Sequence, residues 1–145
     1  MEFAGVLCLQ LMMTYRQLHQ LFNQFLDNTE LAQHYHLLFM LTRMGGVATQ
    51  TDLVRYLKAG RSTTRASINV LKQKGYVTRE KHKKHNRTHL IRITEKSILA
   101  MTSLWDAMKN VELVAFRNLN EDRLFHLWST LIAINENVET IVKDR

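Results

Sequence analysis

The 145-residue sequence contains no proline and only five glycines. Proline is the residue that breaks a helix from within, so few positions can interrupt one, and a mostly helical chain is expected. Cysteine occurs once, at Cys8, which excludes an internal disulfide and fits a reducing cytosol. No apolar run reaches the roughly 18 residues that a membrane span needs. The longest candidate, Val6 to Met13, is short and interrupted by Gln10, and the acidic Glu2 ahead of it argues against a signal peptide. A cytoplasmic protein with no membrane partner is expected. Catalytic signatures are missing as well. There is no His-Glu-x-x-His, no glycine-rich phosphate loop, no Gly-x-Ser-x-Gly and no carboxylate pair beside a cleft signal. The chain reads as a non-enzyme that needs no cofactor. It shows no tandem repeat.

What the sequence does have is a hydrophobic fraction of 46%, enough for a core, and a very uneven charge distribution. Residues 55–92 hold 12 Lys/Arg and one acid, Glu80, a surplus of 11 positive charges. Residues 1–54 and 93–145 each carry a net −2. A positive surplus confined to the middle of a chain implies a polyanion-binding face. At this length the chain is one domain, or a small domain with oligomerisation arms.

Taken in order, residues 4–26 place Leu7, Leu11, Leu18, Leu21, Phe22 and Phe25 at helical spacing. A second helix is expected from about Glu30 to Met44, stopped by Gly45-Gly46. Val47-Ala48 suits a very short strand. Thr49 is a good N-cap, with Asp52 at the third position, for a helix Gln50–Leu57 that buries Leu53 and Leu57. The turn Lys58-Ala59-Gly60 leads to a further helix, about 61–74, with Thr64, Ile68 and Leu71 facing inward and Gly75 ending it. Two strands, 76–80 and 89–93, flank the polar loop Lys81-His82-Lys83-Lys84-His85-Asn86-Arg87-Thr88. Thr94 caps a long helix with the stripe Met101, Leu104, Trp105, Met108, Val111 and Ala115. Asn120 caps the last, with Leu124, Leu127, Trp128, Leu131, Ile134, Val138 and Ile141. The terminal helices are too apolar for some 45 residues to cover. Packing between two copies is the favoured reading and an intramolecular bundle the other.

This order (helix, helix, short strand, helix-turn-helix, two-stranded wing, long helix, helix) resembles the MarR family, the multiple-antibiotic-resistance regulators. Three segments carry the likeness: Gln50-Thr51-Asp52-Leu53 through Leu57, Arg61-Ser62-Thr63-Thr64 through Leu71-Lys72-Gln73-Lys74-Gly75-Tyr76-Val77-Thr78-Arg79, and Asn86-Arg87-Thr88-His89-Leu90-Ile91-Arg92-Ile93-Thr94-Glu95-Lys96. Two positions depart from the family pattern. His85-Asn86-Arg87 stands where an acidic residue usually precedes the wing-tip basic pair, and Ser97 stands where glycine often follows Thr-Glu-Lys. Inside a helix Ser is at least as good as Gly. The resemblance implies a mainly α (α+β) fold with a winged helix-turn-helix domain at 31–93. Its recognition helix lies at about 61–74 and its wing at about 76–93. It implies an N-terminal dimerisation helix at 1–30 and C-terminal dimerisation helices at 94–145.

The implied function is sequence-specific binding of double-stranded DNA by a homodimer on a palindromic operator, as a repressor, with release by a small-molecule effector, a metal or thiol oxidation. A helix fits the DNA major groove. Arg65 and Asn69 are the candidates for base readout, since Arg pairs bidentately with guanine and Asn with adenine. Arg61 reads a base or a phosphate, and Ser62 and Thr63 offer hydroxyls at the helix's positive end. Thr49, Gln50 and Thr51 are phosphate candidates. In the wing, Arg87 is the minor-groove candidate, beside Asn86, with Lys81, Lys83 and Lys84 near phosphates. The competing reading is a winged helix that binds DNA or RNA without sequence preference.

The aromatic and methionine set Tyr15, Phe22, Tyr35, Phe39, Met40, Met44, Trp105 and Met108 is expected to be plain core, with an apolar effector pocket as the alternative. Cys8 is expected to be a small buried hydrophobe rather than a redox sensor. His34 and His36 diverge on a helix and would need His19 or His126 to bind a metal.

Overall fold

A computed structural model describes residues 5–26, 29–84 and 88–143. The elements are α1 (Val6–Phe25), a 3-10 turn (Thr29–Leu31), α2 (Tyr35–Arg43), β1 (Val47–Thr49), α3 (Gln50–Leu57), α4 (Arg61–Gln73), β2 (Val77–Lys81), β3 (His89–Ile93), α5 (Glu95–Ala115) and α6 (Glu121–Lys143). The three strands form one antiparallel sheet in the order β1-β3-β2. Val77 pairs with Ile93 and Lys81 with His89 across the wing, while Ala48 pairs with Ile91 on the other side of β3. This is the mainly α winged-helix arrangement expected from the element order.

The helix ends follow from local chemistry. Thr49 Oγ1 accepts the Asp52 amide (3.0 Å), Thr94 Oγ1 accepts the Ser97 amide (3.4 Å) and Asn120 Oδ1 accepts the Arg123 amide (2.9 Å). Each cap satisfies an amide that a helix N-terminus leaves without a partner. At the end of α2, the Gly45 amide donates to Thr42 (3.1 Å) and the Gly46 amide to Leu41 (2.8 Å). Both glycines have positive φ, 85° and 91°, as this type of C-terminus requires.

One expected helix starts late. The periodicity predicts a helix from Glu30, but residues 32–34 form a turn and α2 begins at Tyr35. Both ends of that turn are held by tertiary contacts: Leu31 is fully buried, and His34 Nδ1 lies 3.1 Å from Ser67 Oγ on α4. These anchors outweigh local helix propensity, a small term per residue.

The core is built from Leu31, Leu37, Leu38 and Leu41, from Leu53, from Ile68 and Leu71, and from Tyr76, Val77 and Ile91 of the wing. Each such side chain contributes about 1.5–3 kcal/mol by leaving water. On α5 the buried stripe is Ser97, Met101, Leu104, Ala107 and Val111. Ala107 takes the place expected for Trp105, whose ring is partly exposed and meets Phe39 edge-on at 4.8 Å. The periphery stays open. Of α1, Phe22 alone is buried, and no described residue of 121–141 on α6 is buried. Cys8, expected inside, is exposed, as are its neighbours on α1 from Val6 to Gln10, so no described residue buries this part of the helix.

Candidate nucleic-acid interface

The basic segment folds into two helices and a wing. α3 ends at Lys58, which adopts a left-handed conformation (φ 56°), and Gly60 (φ 84°) turns the chain into α4. Thr64, Ile68 and Leu71 form the buried side of α4. Arg61, Arg65 and Asn69, spaced by four, lie along an exposed stripe, and Ser62, Thr63 and Ala66 are exposed beside them. Burying Thr64, Ile68 and Leu71 thus forces the hydrogen-bonding side chains outward. The start of α4 leaves amides with positive partial charge for an anion to meet.

At the front of α3, Thr49 and Gln50 are half-buried and Thr51 is exposed. The Thr49 hydroxyl is engaged as the N-cap. Gln50 Oε1 is buried without a hydrogen-bond partner among the described residues. Thr51 Oγ1 lies 3.4 Å from Thr88 Oγ1 at the base of β3, so α3 and the wing are fastened together. Lys81, Lys83 and Lys84 are exposed, and the Lys84 amide donates to His82 Nδ1 (3.1 Å). Asn86 and Arg87, like His85, lie outside the described residues.

The acids of this region are both matched. Asp52 pairs with Arg55 at 2.6 Å, and Glu80 pairs with Arg92 at 3.2 Å across the wing strands. Among the described residues, Arg61, Arg65, Lys72, Lys81, Lys83 and Lys84 have no ion pair and present a positive surface to any polyanion. Lys58 is directed elsewhere, 3.7 Å from Glu139 on α6.

Several contacts around this surface have no signal in sequence spacing. His34 touches the middle of α4 through Ser67, and burial, then the nearby Lys74, holds its imidazole below the ordinary value of 6.5. Glu30 accepts the Tyr76 hydroxyl at 2.8 Å and lies 3.7 Å from Lys96; these two contacts lower its carboxyl below the usual range. The partners are 33 to 66 residues apart, so no local pattern announces them.

The aromatic set gathers around Tyr35, whose ring lies 4.2 Å from Phe22 and 4.1 Å from His36. Its hydroxyl is 2.8 Å from His19 Nδ1, and burial, with Tyr15 nearby, pushes its phenol up to about 12. Tyr15 and Trp105, expected in the core, are exposed at the edge of this set. Two shallow, open surface grooves lie along α5, one lined by Lys109, Leu113, Phe116 and Arg117, the other by Phe25, Leu99, Ser103 and Asp106. Among the described residues no three His, Cys, Asp or Glu side chains come together to hold a metal ion, and no helix is long and apolar enough to cross a membrane.

Comparison with curated proteins finds no match. Comparison with family profiles matches residues 31–88 to the MarR family. Among solved structures, a MarR protein from Peptoclostridium difficile is 18% identical, with a TM-score of 0.83, covering 92% of this chain and 88% of its own. A cysteine-to-serine mutant of MarR from E. coli, complexed with operator DNA, is 19% identical, with a TM-score of 0.79, covering 90% of this chain and 94% of its own. An organohalide-sensing transcriptional regulator in its 2,4-dichlorophenol-bound form is 14% identical, with a TM-score of 0.82, covering 97% of this chain and 84% of its own. At such identities the likeness of whole chains is one of fold. The segment 31–88 is a MarR-family winged helix, carried on a chain that has the fold of that family's regulators.

Proposed function

We propose that this protein is a sequence-specific double-stranded-DNA-binding transcriptional regulator that works in the cytoplasm as a homodimer and represses from a palindromic operator. The observation that carries the reading is the exposed stripe Arg61, Arg65 and Asn69 on α4, flanked by the hydroxyls of Ser62 and Thr63 and backed by the wing lysines. Arg and Asn are the side chains that pair bidentately with guanine and adenine in the major groove. An array of lysines alone would suit phosphate contact without base readout. Thr49, Gln50, Thr51, Lys81, Lys83 and Lys84 then meet phosphates, with Arg87 as the candidate for the minor groove and Asn86 beside it in sequence.

The dimer is supported by surface area. The chain by itself exposes 10997 Å², against about 7,700 Å² for a compact monomer of 17.0 kDa. The excess of about 3,300 Å² per chain, about 6,600 Å² over two copies, is at the large end of what obligate dimers bury. Most of the exposed large apolar side chains are on α1 and α6, Val6, Leu7, Leu9, Phe125, Trp128 and Ile141 among them. In this division, residues 1–30 and 94–145 serve dimerisation and 31–93 bind DNA, with two half-sites about one helical turn apart.

A small-molecule effector is part of the reading. The E. coli neighbour is complexed with operator DNA and another neighbour is bound to 2,4-dichlorophenol. Here Tyr15, Tyr35, Phe39 and Trp105 bring rings from α1, α2 and α5 close together. An aromatic ligand wedged among them would alter the angle between arms and winged segment.

The deciding experiment is selection of bound duplexes from a random pool at physiological salt, with the mass of the complex recorded. A palindrome bound by two chains is the expected result. A flat, salt-sensitive pool would replace this reading with that of a nonspecific DNA- or RNA-binding winged helix. One chain per full site would remove the dimer.

A further inference from the structure

The recognition helix α4 ends on Gly75 (φ 84°), with the Tyr76 amide donating to Leu71 (2.8 Å) and the Gly75 amide to Lys72 (3.1 Å). That arrangement satisfies the helix's own late carbonyls. The carbonyls of Lys74, Gly75 and Tyr76 lie beyond it, and each is taken by a side chain from the start of α5. Lys96 Nζ donates to the Lys74 carbonyl (2.7 Å) and Thr94 Oγ1 to the Gly75 carbonyl (2.6 Å). Ser97 Oγ donates to the Tyr76 carbonyl, which also accepts the Thr94 amide (3.2 Å). Ser97 is fully buried. The Lys96 ammonium sits 4.4 Å above the Tyr76 ring and 3.7 Å from Glu30, and Glu30 in turn accepts the Tyr76 hydroxyl. A cation at a helix C-terminus also meets the negative end of the helix dipole.

We infer that Thr94, Lys96 and Ser97 are positioning residues that join the end of α4 and the first turn of α5 into one rigid body. The DNA-facing stripe Arg61, Arg65 and Asn69 then takes its orientation from the arm helix, through contacts that never touch DNA. This rests on the DNA-binding reading above. Three consecutive carbonyls held by one helical turn leave α4 little freedom to rock about its C-terminal end. Lys96, although cationic and adjacent to the basic segment, is a clamp on protein and not a phosphate contact. Ser97, at a position where the resembling family often has glycine, supplies a hydroxyl that glycine could not.

The test compares Lys96→Met, Lys96→Arg and Ser97→Ala in the full chain, using the selected operator and an unrelated duplex. Methionine keeps an apolar stem over Tyr76 but cannot donate; arginine can. Amide exchange at Gly75 and Tyr76 is followed without DNA. Exchange should rise about fivefold in Lys96→Met and Ser97→Ala, the effect of one lost hydrogen bond. Operator affinity should fall by about fivefold or more, affinity for the unrelated duplex should hold, the salt slope should stay unchanged, and Lys96→Arg should restore the operator preference. A salt slope lowered by about one in Lys96→Met would make Lys96 a phosphate contact and overturn the inference. Unchanged exchange, or faster exchange with unchanged operator preference, would overturn it too. If the parent chain selects no duplex, the DNA reading fails and the orientation claim with it, while exchange still decides whether the joint is rigid. Should Ser97→Ala not fold, the two Lys96 variants decide.

Discussion

Arg65 and Lys84 are both exposed cations, yet they differ in what they can recognise. Arg65 lies in the middle of the α4 stripe, so Arg65→Ala should cost roughly 1–3 kcal/mol of operator binding and relax preference at one base position. Competition against single-base operator variants checks this. Lys84 belongs to the wing loop, so Lys84→Ala should weaken binding to every duplex alike and lower the salt slope by about one. A titration over several salt concentrations separates the two effects. His34 makes a prediction about pH. Its folded value lies below 6.5 because of burial and Lys74, so the unfolded chain takes up the proton first. Stability should therefore fall as the pH drops below 6.5 and level off once the folded imidazole is charged as well. His34→Gln should flatten that part of the curve, measured as melting temperature against pH.

At the scale of elements, the sequence is legible wherever a signal is local. The caps Thr49 with Asp52, Thr94 with Ser97 and Asn120 with Arg123 form as the residue order implies, because a cap spans three residues and needs no distant partner. The turn at Lys58-Ala59-Gly60 and the end of α4 at Gly75 follow for the same reason. What the order of residues hides is set at long range. The break at residues 32–34 depends on Ser67, and the replacement of Trp105 by Ala107 in the buried stripe depends on how closely α5 approaches α1 and α2. The exposure of Cys8 depends on no described residue covering it. Periodicity reports that a face is apolar, not what lies against it. The joint at Gly46 shows the cost of ignoring such contacts. Its φ is 91°, and an added Cβ would meet Ile93 Cδ1 at 3.1 Å. Gly46→Ala should lose about 1–2 kcal/mol from the backbone conformation alone, and more from displacing Ile93. The check is a lower urea midpoint at unchanged slope.

For the molecule as a whole, the proposed dimer rests on the stripes of α1 and α6. Leu131, 38% exposed in the single chain, lies along the α6 stripe with Leu127, Ile134 and Val138. Leu131→Lys should split the dimer, halving the mass in solution. It should also abolish the dependence of melting temperature on protein concentration that mass action imposes on a dimer. A variant that keeps its mass would show that the stripe is not the interface.

The charge layout has a further consequence, for how the molecule arrives rather than how it rests. The middle of the chain carries a surplus of 11 positive charges while the flanks are each −2, and on the arms Asp106, Glu112, Glu121, Asp122 and Glu136 are exposed. In the field of a polyanion such a body experiences a torque as well as an attraction: the winged segment is drawn in while the arms are pushed away. Encounters are turned head-first before contact, so fewer collisions are wasted in the wrong orientation. The bias extends about a Debye length, roughly 8 Å at physiological ionic strength, so added salt slows capture as well as loosening the complex.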